Sequence, residues 1–293
     1  MVIIQALING VLMGGVYGLT ALGLTLIFGV MKVINWAHGS FIMVGMFAGY
    51  WLWTLTGIDP YLGLIIIVPA LFLLGYFVQD ALIKPVFRSE VGVREPIGVL
   101  ILTAGLWLFI DNFALLLFGP FYRTARTPYS GLTYDVGGLL ISAPRLYAFI
   151  ITIVAAYVLS TFLKKTRLGI AIRATGQDRD TASLMGIDVY RIYNIAFGIG
   201  IAITGLVGSL LVPFYYIHPQ AGFVFDIRAF IIVVLGGLGS VPGALLGGLL
   251  IGLIESVGAQ FIPATLTQGI IFAVFLGVLY LRPQGLFGFE KEW

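Results

Sequence analysis

The chain has 293 residues, of which 60% are hydrophobic and only 10% charged, with a mean hydropathy of +1.06. A water-soluble domain carries about 25% charged residues, so this chain cannot cover a solvent-facing surface and reads as an integral membrane protein. The formal charge of +3 is small, so the placement of the basic residues matters more than their number, and the absence of cysteine excludes disulfides and thiolate metal sites.

At roughly 20 residues per span there is room for seven to nine crossings. The N-terminus MVIIQALING lacks the basic region of a cleaved signal peptide and is expected to begin a retained first span, residues 3–30. Gly10, Gly14 and Gly18 recur every four residues and form a smooth stripe suited to close helix packing. MKVINWAHGS, residues 31–40, precedes a second apolar run ending near Thr56. Its Asn35, Trp36, His38 and Ser40 belong either to the membrane interface or to a break lining a cavity, where irregular backbone survives at membrane depth. Asn35 and His38 are the leading candidates for a substrate pathway, against the alternative of local structural hydrogen bonding.

A turn at residues 56–63 leads to a third span at 61–83, with a kink expected at Pro69. Residues 84–95 read as a polar loop holding Lys84, Arg88 and Arg94, and a fourth span follows at 96–118. That span contains Asp111 and Asn112, further pathway candidates; a deep Asp111 must face the protein interior. In the loop at 119–145, LTYDVGGLLIS alternates around Gly137-Gly138, predicting a small external β-hairpin. A fifth span covers 146–163.

Residues 164–191, KKTRLGIAIRATGQDRDTASLMGIDVYR, form the longest polar interruption and hold six of the sixteen basic residues. Thr175 with Asp178 resembles a capping box and Gly186 a helix C-cap, predicting short helices near 168–174 and 176–185; Asp188 can cap the next span. Mixed charge and a small apolar surface suit a protein partner better than anionic headgroups. A sixth span follows at 190–214, then HPQAGFVFDIR, read as a polar connection. Residues 229–254 carry too many breakers for one span. They read as a helix ending near Leu235, a turn at Gly239-Ser240 and a second helix from Pro242, with Gly236, Gly237, Gly239, Pro242 and Gly243 as hinge or close-packing positions. Such a broken element marks a transport site or a tightly packed helix pair. Glu255 is a last pathway candidate, and a final span at 266–281 precedes the tail RPQGLFGFEKEW.

The expected fold is all-α, a single polytopic domain over 1–293 with about eight membrane helices. If each run crosses once, Lys32, Lys84, Arg88, Arg94 and the six basic residues of 164–191 share one side, against Arg123, Arg126, Arg145 and Arg228 on the other. Ten against four puts residues 164–191 in the cytoplasm and the N-terminus outside. The tail, with Arg282 and Lys291, is cytoplasmic only if the broken element turns back on itself. No GxxxxGK[ST], metal-ligand cluster or paired acid and base occurs, so neither a catalytic residue nor a cofactor is expected. A pore subunit driven by a separate motor fits. The alternatives are an ion-gradient transporter, short of deep charges, and a membrane enzyme or scaffold, the enzyme short of a paired acid and base.

Four segments resemble permease subunits of branched-chain amino-acid ABC importers: GLTLIFGVMKVINWAHGSFIMVG at 23–45, ATGQDRDTASLMGID at 174–188, VVLGGLGSVPGALLGG at 233–248 and RPQGLFG at 282–288. Trp36 stands where that family usually has Phe. With no spans ahead of residue 1, the chain is expected to be the shorter permease of the usual pair. The resemblance implies a second homologous permease, two cytoplasmic ATPases that bind the ATP, an external substrate-binding protein, a location in the inner membrane and no nucleic-acid partner. It also implies that residues 174–188 dock in an ATPase groove, with Arg173, Ala174, Thr175, Gln177, Asp178, Ala182, Gly186 and Ile187 as coupling residues. The same family includes importers of urea and short amides.

Overall fold

The computed structural model describes residues 1–89 and 97–287. These fold into helices α1 (Val2–Met31), α2 (His38–Thr56), α3 (Leu64–Ser89), α4 (Ile97–Phe118), α5 (Ala143–Lys165), α6 (Arg167–Gln177), α7 (Arg179–Leu184), α8 (Val189–Leu211), α9 (Ala221–Gly236), α10 (Val241–Phe261) and α11 (Ala264–Leu281), with strands β1 (Thr133–Val136) and β2 (Leu139–Ser142). Six helices, α1, α3, α4, α5, α8 and α10, are long and apolar enough to cross a membrane. The protein is an all-α polytopic membrane protein. The chain forms two compact units: Met1–Thr25, Arg126–Ala156 and Ile227–Trp293 in one, Leu26–Ala125 and Tyr157–Asp226 in the other.

In the first unit the glycine stripe of α1 is a packing seam against α10. Gly10 meets Gly252 and Leu253, Gly14 meets Gly248 and Leu249, and Gly18 meets Leu245, so numbers rise on one helix as they fall on the other and the helices are antiparallel. A Cβ on Gly14 would stand 2.8 Å from the Leu249 Cα, which is why small residues are needed there. The hairpin forms as expected, with Val136 opposite Leu139 and both Gly137 and Gly138 at positive φ (63° and 84°). It is clamped to the start of α1: the Gln5 amide donates to the Leu140 carbonyl at 2.6 Å and accepts from the Leu140 N–H at 2.8 Å.

The broken element is a helical hairpin. Gly236 touches Gly243 and Ile232 touches Gly247, so α9 and α10 run antiparallel from a turn at 237–240. Gly237 and Gly239 take positive φ there; Ser240 caps α10 by accepting from the Gly243 N–H at 3.2 Å, and Pro242 falls in its first turn. The tail closes the other end of the break: Leu286 N–H donates to the Leu235 carbonyl at 2.8 Å and Phe287 N–H to the Gly236 carbonyl at 3.2 Å, meeting carbonyls that the end of α9 leaves orphaned. Lys291 lies outside the described residues.

Two expected loops are helix instead. Residues 218–228 were expected as a polar connection, yet α9 begins at Ala221, so Asp226 and Arg228 are helical. Residues 84–89 continue α3 through a wide π turn at Gln79–Ile83. In each case the charges are paired within the fold: Arg228 Nη2 meets Glu255 Oε1 at 2.5 Å, and Lys84 Nζ meets Asp80 Oδ1 at 2.6 Å. Arg94 and the expected start of the fourth span at Pro96 lie outside the described residues. Pro69 stays inside α3.

In the second unit α8 is the central helix, buried along most of its length between α2 and α3. Gly208 lies against the α2 backbone at Ile42 and Met46, and Gly75 of α3 against Ile201. By contrast α4 is mostly exposed, with Leu116 and Phe109 outward as in a lipid-facing helix.

Candidate functional site

Two places in the second unit gather polar groups. The first is the helix pair α6–α7. Thr166 caps α6 by accepting from the Gly169 N–H at 3.0 Å. Asp178 caps α7, its Oδ1 accepting from the N–H groups of Asp180 at 2.9 Å and Thr181 at 3.2 Å and its Oδ2 from the Thr181 hydroxyl at 2.6 Å. The capping role expected of Thr175 therefore belongs to Asp178: Thr175 is inside α6, with its side chain buried. The Thr181 hydroxyl, then the N–H groups of Thr181 and Asp180, hold the exposed Asp178 carboxyl below the usual carboxylate value. Helix α7 ends in a Schellman motif, Ile187 N–H to the Ala182 carbonyl at 3.1 Å and Gly186 N–H to the Ser183 carbonyl at 3.0 Å, with Gly186 at φ 82°. Asp188 then caps α8 through the Arg191 N–H.

The sequence-predicted coupling residues divide by exposure. Arg173, Gln177, Asp178 and Gly186 are exposed, Ala174 and Ile187 half-buried, while Thr175 and Ala182 are buried and hold the pair together. The side chains that stand out furthest were not on the expected set: Leu184 is 88% and Met185 79% exposed. Their signal was present as two adjacent apolar residues just before the C-cap glycine of a charged helix. The pair is tied to its neighbours by backbone contacts, Gly169 against Phe162 and Leu163 of α5 and Gly176 against Gly29 of α1. Arg173 Nε adds a bond to the Leu163 carbonyl at 3.0 Å.

The second place surrounds the start of α2. Lys32 takes φ 57° after α1 ends, and the chain runs unwound to Ala37. Asn35 and His38 are buried (2% and 0% exposed), Asn35 Oδ1 accepting from the Ala37 N–H at 3.1 Å, while Trp36 is 45% exposed. Ala37 gives α2 no side-chain cap. Two distant carboxylates surround the uncapped end: Asp226 of α9 accepts from the Gly39 N–H, and Asp111 of α4 accepts from the Ser40 hydroxyl at 2.7 Å and from the Trp107 indole N–H at 2.9 Å. Negative charge there is favoured by the partial positive charge of a helix N-terminus. Gly39 and Gly222 touch backbone to backbone, which lets α9 carry Asp226 this close.

Beside Asp111 opens a pocket of about 570 Å3, lined also by Trp107, Tyr122, Tyr216, His218 and Phe223. Asn112 does not join it: its side chain is exposed and its Nδ2 donates back to the Leu108 carbonyl at 2.7 Å. Glu255 belongs to the first unit, where it is ion-paired with Arg228, whose guanidinium lies 5.1 Å over the Tyr17 ring. Asp226 was not anticipated, because a run with two charges close together read as a loop.

A family model described as branched-chain amino acid transport system / permease component matches residues 6–279. The permease protein LivH of the high-affinity branched-chain amino acid transport system of Salmonella typhimurium is 31% identical over 97% of this chain and 95% of its own length. The corresponding BraD of Pseudomonas aeruginosa is 32% identical with the same coverage, and the LivM permease of Escherichia coli 27% identical over 92% of this chain and 67% of its own length. No solved structure matches. With a match of that extent and relatives that run nearly end to end, the chain belongs to the family of branched-chain amino acid transport system permease components.

Proposed function

We propose that the chain is the permease subunit of an ATP-binding cassette importer that carries branched-chain or related small amino acids across the cell membrane. The observation that carries the reading is the family match over residues 6–279, joined to relatives whose names specify branched-chain amino acid transport. We assign no reaction to the chain itself. Two cytoplasmic partners bind and split ATP, an external protein delivers the substrate, and a second homologous permease completes the pathway; similarity to both LivH and LivM supports pairing of related permeases.

Coupling follows from how α6–α7 is built. A protein groove is a better seat than a lipid surface for Leu184 and Met185 flanked by Arg179 and Asp180, since the acidic groups would be repelled by anionic headgroups. Force on that tip reaches α5 through Gly169 and α1 through Gly176, because backbone packed on backbone has no flexible side chain to absorb a displacement. The unwound residues after α1 are the joint that such a push would bend, with Asn35, His38 and Asp111 along the pathway.

The test is uptake of radiolabelled leucine into vesicles holding the purified importer. Uptake should require ATP and survive an ionophore; ATP-independent uptake that an ionophore abolishes would instead identify a secondary transporter. Replacing both Leu184 and Met185 by Asp should cut uptake at least about tenfold, the loss of a modest docking hot spot, while the ATPases still hydrolyse ATP.

A further inference from the structure

The pocket beside Asp111 has a charge that nothing in its own walls balances. Both recorded partners of the Asp111 carboxylate are neutral, the Ser40 hydroxyl and the Trp107 indole N–H. Among the described residues that line the pocket there is no lysine or arginine. His218 Nδ1 is engaged within the wall, accepting the Gln220 N–H at 3.1 Å. Asp226, three residues beyond Phe223 on α9 and so on the same helix face, accepts from the Gly39 N–H and brings no cation to Asp111. A carboxylate at membrane depth without a cation is costly, so a ligand that brings one is favoured there.

The walls add a second preference. Trp107 and Phe223 stack with centroids 5.8 Å apart and planes 14° apart, and Tyr122 stacks on His218 at 4.5 Å. Aromatic faces attract a cation through their quadrupole and equally accept a hydrocarbon chain. A metal ion would want several oxygen ligands, and Asp111 is the single carboxylate among the described lining residues. The volume of about 570 Å3 is in the usual range for a small-molecule site.

We propose that this pocket is a recognition site for a primary ammonium group carried on an apolar chain, with Asp111 as the counter-charge and the Trp107 and Phe223 rings as the apolar seat. The natural ligand, a small apolar amino acid, rests on the permease reading; the ammonium selectivity does not. Each Asp111 oxygen already accepts one hydrogen bond and keeps a further lone pair for the ligand, while the lining tyrosines and Gln220 offer donors to a substrate carboxylate.

The full-length chain, purified in detergent, is to be titrated calorimetrically with isoamylamine and, separately, with isocaproate, which replaces the ammonium by a carboxylate. Isoamylamine should bind at least about tenfold more tightly. Asp111→Asn should remove that preference, Phe223→Leu should weaken isoamylamine severalfold, and Leu116→Ala, outward on the same helix, should change nothing. Equal affinity for the two probes, or binding of neither, overturns the proposal, as does unchanged isoamylamine affinity in a monodisperse Asp111→Asn. Should that variant aggregate, Phe223→Leu and Trp107→Phe decide, and wild-type affinity in both overturns it. Leucine uptake by the complete importer is scored apart: lost uptake with ammonium selectivity intact counts against the permease reading alone, and normal uptake without selectivity counts against the pocket alone.

Discussion

At Asp178 one carboxylate begins a helix. It accepts from two backbone N–H groups and the Thr181 hydroxyl, and these bonds favour its charged form, so its folded pKa lies below the unfolded value of about 3.9. A depressed folded pKa contributes stability that is present above the unfolded value and is lost as pH falls through the folded one. Amide-exchange protection of Asp180 and Thr181, corrected for intrinsic rate, should hold from neutrality down to the unfolded value and decline below it; Asp178→Ala should lose it at every pH. Gly186 closes the same helix. Nothing stands near the position a Cβ would take, so Gly186→Ala meets no clash and pays only the left-handed backbone, about 1–2 kcal/mol. The expected result is faster exchange at position 186 and at Ile187 with unchanged spectra elsewhere, and Gly186→Asn should be milder because Asn tolerates that conformation. A uniform fall in the melting temperature without local loosening would contradict this account.

At the level of elements, the readable signals were those whose partners lie nearby in sequence. The glycine pair of the hairpin, the α9–α10 turn with its Ser240 cap, and the caps at Asp178, Gly186 and Asp188 all act within a few residues, so spacing alone identifies them. What escaped were charges inside helices, since a polar run reads as solvent unless its distant partner is known. Arg228 is neutralised 27 residues away by Glu255, and Asp226 is held by the start of α2. Likewise Asp111 and Asn112 are adjacent in sequence but diverge by a helical step, and only the fold tells that one enters a pocket and the other does not. The Arg228–Glu255 pair, half-buried between α9 and α10, makes its own prediction. Removing one partner leaves a charge stranded, so Arg228→Met alone should cost about 3–5 kcal/mol, whereas the double variant with Glu255→Leu should recover most of it. Thermal unfolding in detergent measures both; a double variant no more stable than the single one would show that the pair does not act as a unit.

Across the whole molecule, topology joins the charge pattern to function. Arg228, counted in the sequence among four basic residues expected outside, is helical and ion-paired with Glu255, so it does not report sidedness as a loop residue would. Within the first unit the two ends are distinguishable. The hairpin lies with the start of α1, where Gln5 clamps Leu140 and Ser256 near the end of α10 donates to the Ala6 carbonyl. The tail lies at the α9–α10 turn, which is the beginning of α10 and therefore the opposite end. Because α9 and α10 turn back on each other, α11 returns the chain to the side of that turn. If residues 164–191 face the cytoplasm, as proposed, the expected arrangement is a cytoplasmic tail and an external hairpin. The native chain has no cysteine, so single-cysteine variants report sidedness without background. Asp135→Cys should react with an impermeant maleimide only from outside intact cells, and Ser183→Cys and Gln284→Cys only after the membrane is opened or inverted. Labelling of Gln284→Cys from outside would mean that α9 and α10 cross once rather than turn back. Labelling of Ser183→Cys from outside would remove α6–α7 from the reach of any cytoplasmic ATPase, and with it the proposed route for coupling.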